Sequence, residues 1–229
     1  MTEAQKEVYE FLTKTILDKD VQSPVHVAIN GKDASGKTVM ADTLATYLRP
    51  HTNREIIRIS IDDFMNERAV RYTPAETVGT GCYKYTFNFE SFIRYVLKPL
   101  QEDGSLVYKD KVFDHGTDSV MFSNDKIASR DAIVIIDGVF LYRHDLVHYW
   151  DIKVLLETDD ATAIKRGAKR DIQRLGSYEV AKQKYIERYI ASQTIYYTEE
   201  HPEKSADIVI DHNDFNSPAL LRPGHSAET

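Results

Sequence analysis

Residues 25–38 read VHVAINGKDASGKT. Five of the first six residues favour a strand. They run directly into Gly31, Gly36, Lys37 and Thr38, which fit G-x-x-x-x-G-K-[ST], the pattern of a phosphate-binding loop. The spacing has a physical reason. Backbone N–H groups turned inward between a strand and the next helix make a nest for an anion at the helix's positive end. Gly31 and Gly36 let the backbone turn sharply and approach a phosphate where a Cβ would obstruct. Lys37 can reach the outer phosphates of a nucleotide, and the Thr38 hydroxyl can ligate Mg²⁺. Lys32, Asp33, Ala34 and Ser35 complete the loop, so 31–38 as a whole is expected to hold ATP. A Gly/Ser-rich turn would also fit the eight positions. The buried-type strand before them and the amphipathic run Val39, Met40, Leu44, Tyr47 and Leu48 after them favour the nucleotide.

The totals frame this loop. A chain of 229 residues suits one α/β domain with a generous core. A net charge of −7 gives no whole-chain basic field for nucleic acid or an anionic membrane, so any polyanion site must be a local cluster of cations. The lone cysteine, Cys82, cannot form an intrachain disulfide and is expected to pack. The N-terminal MTEAQKEVYE is unlike a signal peptide, and no apolar run reaches the roughly 18 residues of a membrane helix. A cytoplasmic protein with a small-molecule partner is the expectation.

Outward from the loop, residues 3–18 predict a helix with a capping box at Thr2 and Gln5. EIIRIS (55–60) is a second strand, followed at once by Asp62-Asp63-Phe64. In an open parallel sheet, ligands collect at the carboxyl ends of strands, so these acids are well placed for a substrate, although a turn or cap would also use them. Residues 65–88 have little apolar periodicity and predict a long functional loop. A helix follows over 89–100, then a strand or hairpin arm over 106–113. AIVIID (132–137) is the most strand-like run and ends in Asp137, as the acid that holds Mg²⁺ does after a Walker B strand. DIKVLLE (151–157) is a fourth parallel strand. The helix over 159–175 is dense in cations; Arg166 and Arg170, at i,i+4, are expected to point the same way as part of a lid over transferring phosphate. A long helix over 178–200 and a fifth strand, ADIVID (206–211), complete one domain over 1–216. The tail 217–229 is expected to fray and be partly disordered. Strands alternating with helices give a doubly wound α/β fold.

Five landmarks in order, INGKDASGKT, ISIDDF, VIIDGVFL, KRGAKRD and RYIASQTIYYTEEHPEKSADIVID, resemble the phosphoribulokinase/uridine kinase family of P-loop kinases over about residues 22–216. The resemblance implies a P-loop NTPase fold with a five-stranded parallel sheet ordered 2-3-1-4-5, helices on both faces and a helical lid over 159–176. It implies ATP as donor, Mg²⁺ and a small hydroxyl acceptor; the family often forms symmetric assemblies, so a homo-oligomer is open, although the oligomeric state is not readable from these residues. By the same resemblance Asp62 is the catalytic base, with Asp63 its rival. Asp137 organises Mg²⁺ with Thr38, Arg170 contacts phosphate beside Lys37, and Arg166 belongs to the ATP site. Asn213, Asp214 and Pro218 would flank the adenine.

Departures fall in the acceptor region. Uridine kinases carry Pro-Val-Tyr-Asp and then Thr-His-Ser-Arg; here the runs are Lys111-Val112-Phe113-Asp114 and Thr117-Asp118-Ser119-Val120. Met65 replaces an aromatic, and Asn88 stands for a ribose-binding aspartate. A site that reads a base edge loses strongly when its donors go. Phe113, Asp114 and Tyr85 remain candidate substrate contacts, with Tyr85 equally able to pack in the core. The leading expectation is transfer of the γ-phosphate to a nucleoside 5′-hydroxyl, of uridine or cytidine. Nicotinamide riboside, pantothenate and a sugar phosphate are alternative acceptors; the last would need extra cations, which Arg68 and Arg71 could supply. A nucleotide-binding switch is the reading from another class, disfavoured because no guanine-recognition motif is present.

Overall fold

The computed structural model describes residues 1–19 and 22–222. Its centre is a six-stranded sheet. The strands are β1 (Val25–Gly31), β2 (Ile56–Ser60), β3 (Ile133–Gly138), β4 (Ile152–Glu157), β5 (Ile208–Asp211) and β6 (Ala219–Arg222), in the spatial order β2-β3-β1-β4-β5-β6. β1 to β5 run parallel, and β6 pairs antiparallel with β5, Ala219 facing Asp211. The expected five-stranded sheet is therefore corrected to six. Residues 219–222 of the tail, expected to fray, find hydrogen-bond partners on the free edge of β5. The remainder of that expectation, 223–229, lies outside the described residues.

Alternation along the strands sorts the core onto two faces. Val27, Ile29, Ile133, Ile135, Val154 and Leu156 pack with α1 (Glu3–Leu17) and α2 (Lys37–Leu48). Ala28, Val134, Ile136 and Leu155 face the other way, against Phe92, Tyr83 and Tyr196. α1 opens on the expected capping box, and its cap also reaches the far end of the chain. Thr2 Oγ1 donates to the Asn216 carbonyl (2.6 Å) and Gln5 Nε2 to the Phe215 carbonyl (2.7 Å).

Residues 65–88 are not the unstructured loop expected. They hold a helical turn, Arg68–Arg71, and α3 (Val78–Tyr85), capped by Thr77, whose Oγ1 accepts from the Thr80 N–H at 3.0 Å. The glycines that read as breakers allow contact instead: a Cβ on Gly79 would stand 2.7 Å from the Ala191 Cβ. Two short antiparallel hairpins follow, Val107–Tyr108 with Lys126–Ile127 and Phe113–Asp114 with Ser119–Val120. The lid consists of α4 (Asp160–Arg170), capped by Asp159, and the turn Ile172–Leu175, which ends at Gly176 in the left-handed region (φ 93°). α5 spans 178–200 and widens to a π-helical turn over Tyr185–Ile190.

Candidate active site

The phosphate loop is built as its spacing predicts. Ala34 (φ 61°) and Gly36 (φ 98°) both adopt left-handed backbone. For Ala34, with a Cβ, this is a strained conformation of the kind found where backbone must face a ligand. Lys37 Nζ donates 2.6 Å to the Lys32 carbonyl, folding back over the loop. Burial pushes the Lys37 ammonium below its ordinary value, while Asp33, Asp137 and Asp62 pull the other way. Behind the loop, the His212 ring donates from Nδ1 to the Ser35 carbonyl at 2.6 Å, and Phe215 packs on Gly36.

In front of the loop lies a cavity of about 140 Å³, lined among others by Asp33, Lys37, Thr38, Asp62, Asp137 and Arg170. Thr38 Oγ1 donates to Asp137 Oδ2 at 2.6 Å, linking the start of α2 to β3 across the sheet's carboxyl end. Asp137 is 2% exposed and its other oxygen accepts from Arg58 at 2.6 Å. Arg58 was not a sequence candidate; its signal is a cation inside the apolar strand β2, reaching Asp42, the Ile59 carbonyl and Asp137 together. A hydroxyl and a carboxylate converging beside a phosphate nest suit Mg²⁺, which takes hard oxygen ligands, keeps several waters and relies on substrate phosphates for the rest. Among the described residues no cluster of three or more His, Cys, Asp or Glu side chains forms a self-contained metal site.

Asp62 lines this cavity and Asp63 does not. Ser60 caps the 3₁₀ turn Ile61–Phe64 and turns the two carboxylates apart; Asp63 lies 3.9 Å from His115 Nε2 instead. Asp62 opens onto the cleft yet is surrounded by protein. That burial, with Asp137 and Asp33 nearby, raises its carboxyl to about 6, against the opposing pull of Lys37 and His115.

Arg170 also reaches the cavity. Its guanidinium donates to the Tyr185 hydroxyl (2.9 Å) and to Asp171 (3.2 Å). Arg166 does not point with it: its guanidinium lies 3.6 Å over the Phe215 ring and donates to the His212 and Asn213 carbonyls. Lys32 is drawn outward to Asp160, and Gly31 packs closely on Ser35 and Leu156. The three candidate acceptor contacts other than Asp62 lie outside both cavities of the site. Tyr85 is half-buried on α3, Phe113 is fully buried beneath Arg71, and Asp114 accepts from the Gly116 N–H in its own hairpin. Asn88 caps the next helix, its Oδ1 accepting from the Ser91 N–H.

A second cavity, about 450 Å³, continues from Asp62 and Arg170 between the lid, the 68–71 turn and α5. Met65, Cys82, Thr86 and Phe87 form its apolar wall. Arg68, Tyr72, Lys184 and Arg188 line its far side. Lys184 and Arg188 carried a legible signal in their i,i+4 spacing on the long helix.

The family model described as phosphoribulokinase/uridine kinase matches residues 26–216. The chain belongs to this family of P-loop kinases. Uridine kinase from Brevibacillus brevis is 26% identical over 204 residues, 86% of this chain and 89% of that protein. Uridine-cytidine kinase A from Dictyostelium discoideum is 27% identical over 161 residues, 69% of this chain but only 30% of that longer protein. A solved structure described as a possible uridine kinase from Bacillus stearothermophilus superposes with a TM-score of 0.71 at 26% identity, covering 89% of this chain and 97% of that one. No helix among the described residues of this family member is long and apolar enough to cross a membrane.

Proposed function

We propose that this protein transfers the γ-phosphate of ATP to the hydroxyl of a small acceptor. The observation that carries the reading is the convergence of Lys37, Thr38, Asp137, Arg170 and Asp62 on one cavity at the carboxyl end of the sheet. Each then has a distinct task. The 31–38 backbone and Lys37 bind the phosphates. Thr38 and Asp137 would hold Mg²⁺, which would supply charge neutralisation for the triphosphate. Asp62 orients the acceptor hydroxyl and accepts its proton, and a carboxyl held near 6 is ionised, yet basic enough, at neutral pH. Arg170, braced by Tyr185, offsets the charge that develops on the transferring group. Most of the acceleration is positioning and electrostatics, since phosphoryl transfer asks little covalent chemistry of the protein.

Nucleosides are the first acceptors to test, because the matched relatives are named uridine and uridine-cytidine kinases. Release of ADP by purified protein with ATP and Mg²⁺ should be stimulated by the correct acceptor and lost in Asp62→Asn. Slow ADP release that ignores every acceptor and survives Asp62→Asn would move the protein to the class of nucleotide-binding switches.

A further inference from the structure

The larger cavity carries a charge pattern that the phosphate-transfer machinery does not use. Its lining brings three cations, from the 68–71 turn and from α5, to one tyrosine. The Arg188 guanidinium lies 4.3 Å from the centre of the Tyr72 ring, Arg68 lies 4.8 Å from it, and Lys184 Nζ is 3.3 Å from the Tyr72 hydroxyl. None of the three forms an ion pair with a carboxylate among the described residues. Elsewhere in the same lining Arg71 is paired with Asp118 at 2.5 Å and Arg174 with Asp171 at 2.6 Å, so neutralisation is available to cations here and is withheld from these. Arg188 is the sharpest case. It is only 6% exposed, and its one hydrogen bond among the described residues goes to the Arg71 carbonyl. Guanidinium groups keep their charge in proteins, and a buried charge without a counter-charge is costly. Gathering three like charges around one ring adds repulsion to that cost. The Tyr72 hydroxyl registers the field: burial acts to raise it, and Lys184, Arg188 and Arg68 together bring it below its ordinary value.

The three positions that depart from the uridine kinase runs do not line this cavity. Phe113 is fully buried, Asp118 is occupied by Arg71, and Val120 is exposed on its hairpin. An uncompensated cationic end opposite a base-like carboxylate describes a ligand with a hydroxyl at one end and negative charge at the other.

We infer that the acceptor is a small hydroxy compound bearing a phosphate or carboxylate, with that anion seated on Arg188, Lys184 and Arg68 and its hydroxyl directed at Asp62. This rests on the kinase reading above. A guanidinium fork and an ammonium match either anion through charge-assisted hydrogen bonds. In the reaction the acceptor oxygen forms a bond to the γ-phosphorus while the bond from that phosphorus to the β,γ-bridging oxygen breaks. The hydroxyl proton passes to Asp62, and ADP leaves with the electron pair of the broken bond. The acceptor's own anion takes no part beyond binding.

The test measures ADP release, with ATP and Mg²⁺, for matched acceptors: glycerol against glycerate and glycerol 3-phosphate, and ribose against ribose 5-phosphate, with uridine and cytidine alongside. The anionic members should exceed their neutral counterparts in kcat/KM by about tenfold or more, and the carboxylate and phosphate arms identify which anion the pocket prefers. Lys184→Gln and Arg68→Gln, on more exposed positions than Arg188, should raise KM for the anionic acceptor by about tenfold while KM for ATP stays within about twofold. Arg188→Gln should do at least as much where it folds. Preference for uridine, cytidine or any neutral acceptor, unaffected by Lys184→Gln, would overturn the inference and leave the kinase reading intact. ADP release indifferent to every acceptor would remove the kinase reading and this inference together.

Discussion

The ring of Tyr185 fills the space that a side chain at Gly167 would need: a Cβ there would stand 2.0 Å from the ring. The close approach lets α4 and α5 meet with the Tyr185 hydroxyl between Arg170 and Asp171, accepting from the first at 2.9 Å and donating to the second at 3.1 Å. A lid glycine therefore sets the position of Arg170, which lines the cavity in front of the phosphate loop.

Gly167→Ala sets two effects against each other. Alanine in a helix interior gains up to about 1 kcal/mol over glycine. Overpacking a filled site costs about 1–3 kcal/mol, and a contact this short requires ring or helix to move. The expected result is a lower Tm and a fall in kcat larger than the change in KM for ATP. Tyr185→Phe, which keeps the packing and removes the hydroxyl, should lower kcat with little loss of Tm. A Gly167→Ala protein with unchanged kcat would refute the link between lid packing and Arg170.

Asp62 makes two pH-dependent predictions. As the proposed base it must be ionised, so kcat/KM should fall as pH drops below about 6, and Asp62→Asn should lose about 10²–10⁴-fold in kcat and show no such inflection. The folded-state value lies above the ordinary 3.8, so the folded protein holds this proton more tightly than the unfolded chain does. Ionising Asp62 consequently costs stability. The cost is absent below the unfolded value, grows as pH rises toward about 6, and is complete above it. Asp62→Asn should thus raise Tm at about pH 7.5, and the gain should shrink toward zero near pH 4. Calorimetry across that range checks both the sign and the window.

Arg58 holds the buried Asp137 carboxylate from one side while Thr38 holds it from the other. Removing one partner of a buried pair typically costs about 3–5 kcal/mol, and partial exposure of Arg58 places Arg58→Ala at the lower end. Denaturant unfolding should register this loss, and the Mg²⁺ concentration that half-saturates ADP release should rise because Asp137 is no longer oriented. Arg58→Lys restores charge but not the three-way fork, so it should recover stability only in part.

Gly36→Ala meets two obstacles. The backbone is left-handed there (φ 98°), and a Cβ would approach the Phe215 ring to 2.6 Å. ATP affinity should drop by more than about tenfold, measurable by calorimetric titration. Adding Phe215→Ala removes the contact but leaves the backbone strain, so the double variant should regain only part of the affinity.

What could be read from the sequence was what is local in it. The phosphate loop, Asp62 after β2 and Asp137 ending β3 are each fixed by a few consecutive residues and by the strand end that presents them. Misplacement began where position depends on distant partners. β6 becomes a strand because β5 offers it an edge, which four residues reading ALLR cannot announce. Helix α3 survives its glycines because Ala191 packs against one of them. Phe113 and Asp114 belong to a hairpin whose packing turns them away from the cleft, and Arg166 is taken up by a segment 46 residues later. The cationic end of the second cavity is assembled from the 68–71 turn and the far side of α5, 112 residues apart at the Tyr72–Lys184 contact. No window along the chain contains it.

The cap of α1 is tied to residues 215 and 216, and Phe215 in turn rests on Gly36. An affinity tag fused ahead of Thr2 would therefore be grafted onto the back wall of the nucleotide loop. Comparing cleaved and tagged protein in the same ATP titration would separate the properties of the enzyme from those of its handle, and a tag joined at the opposite end would leave this relay of contacts alone only if it spares Phe215 and Asn216.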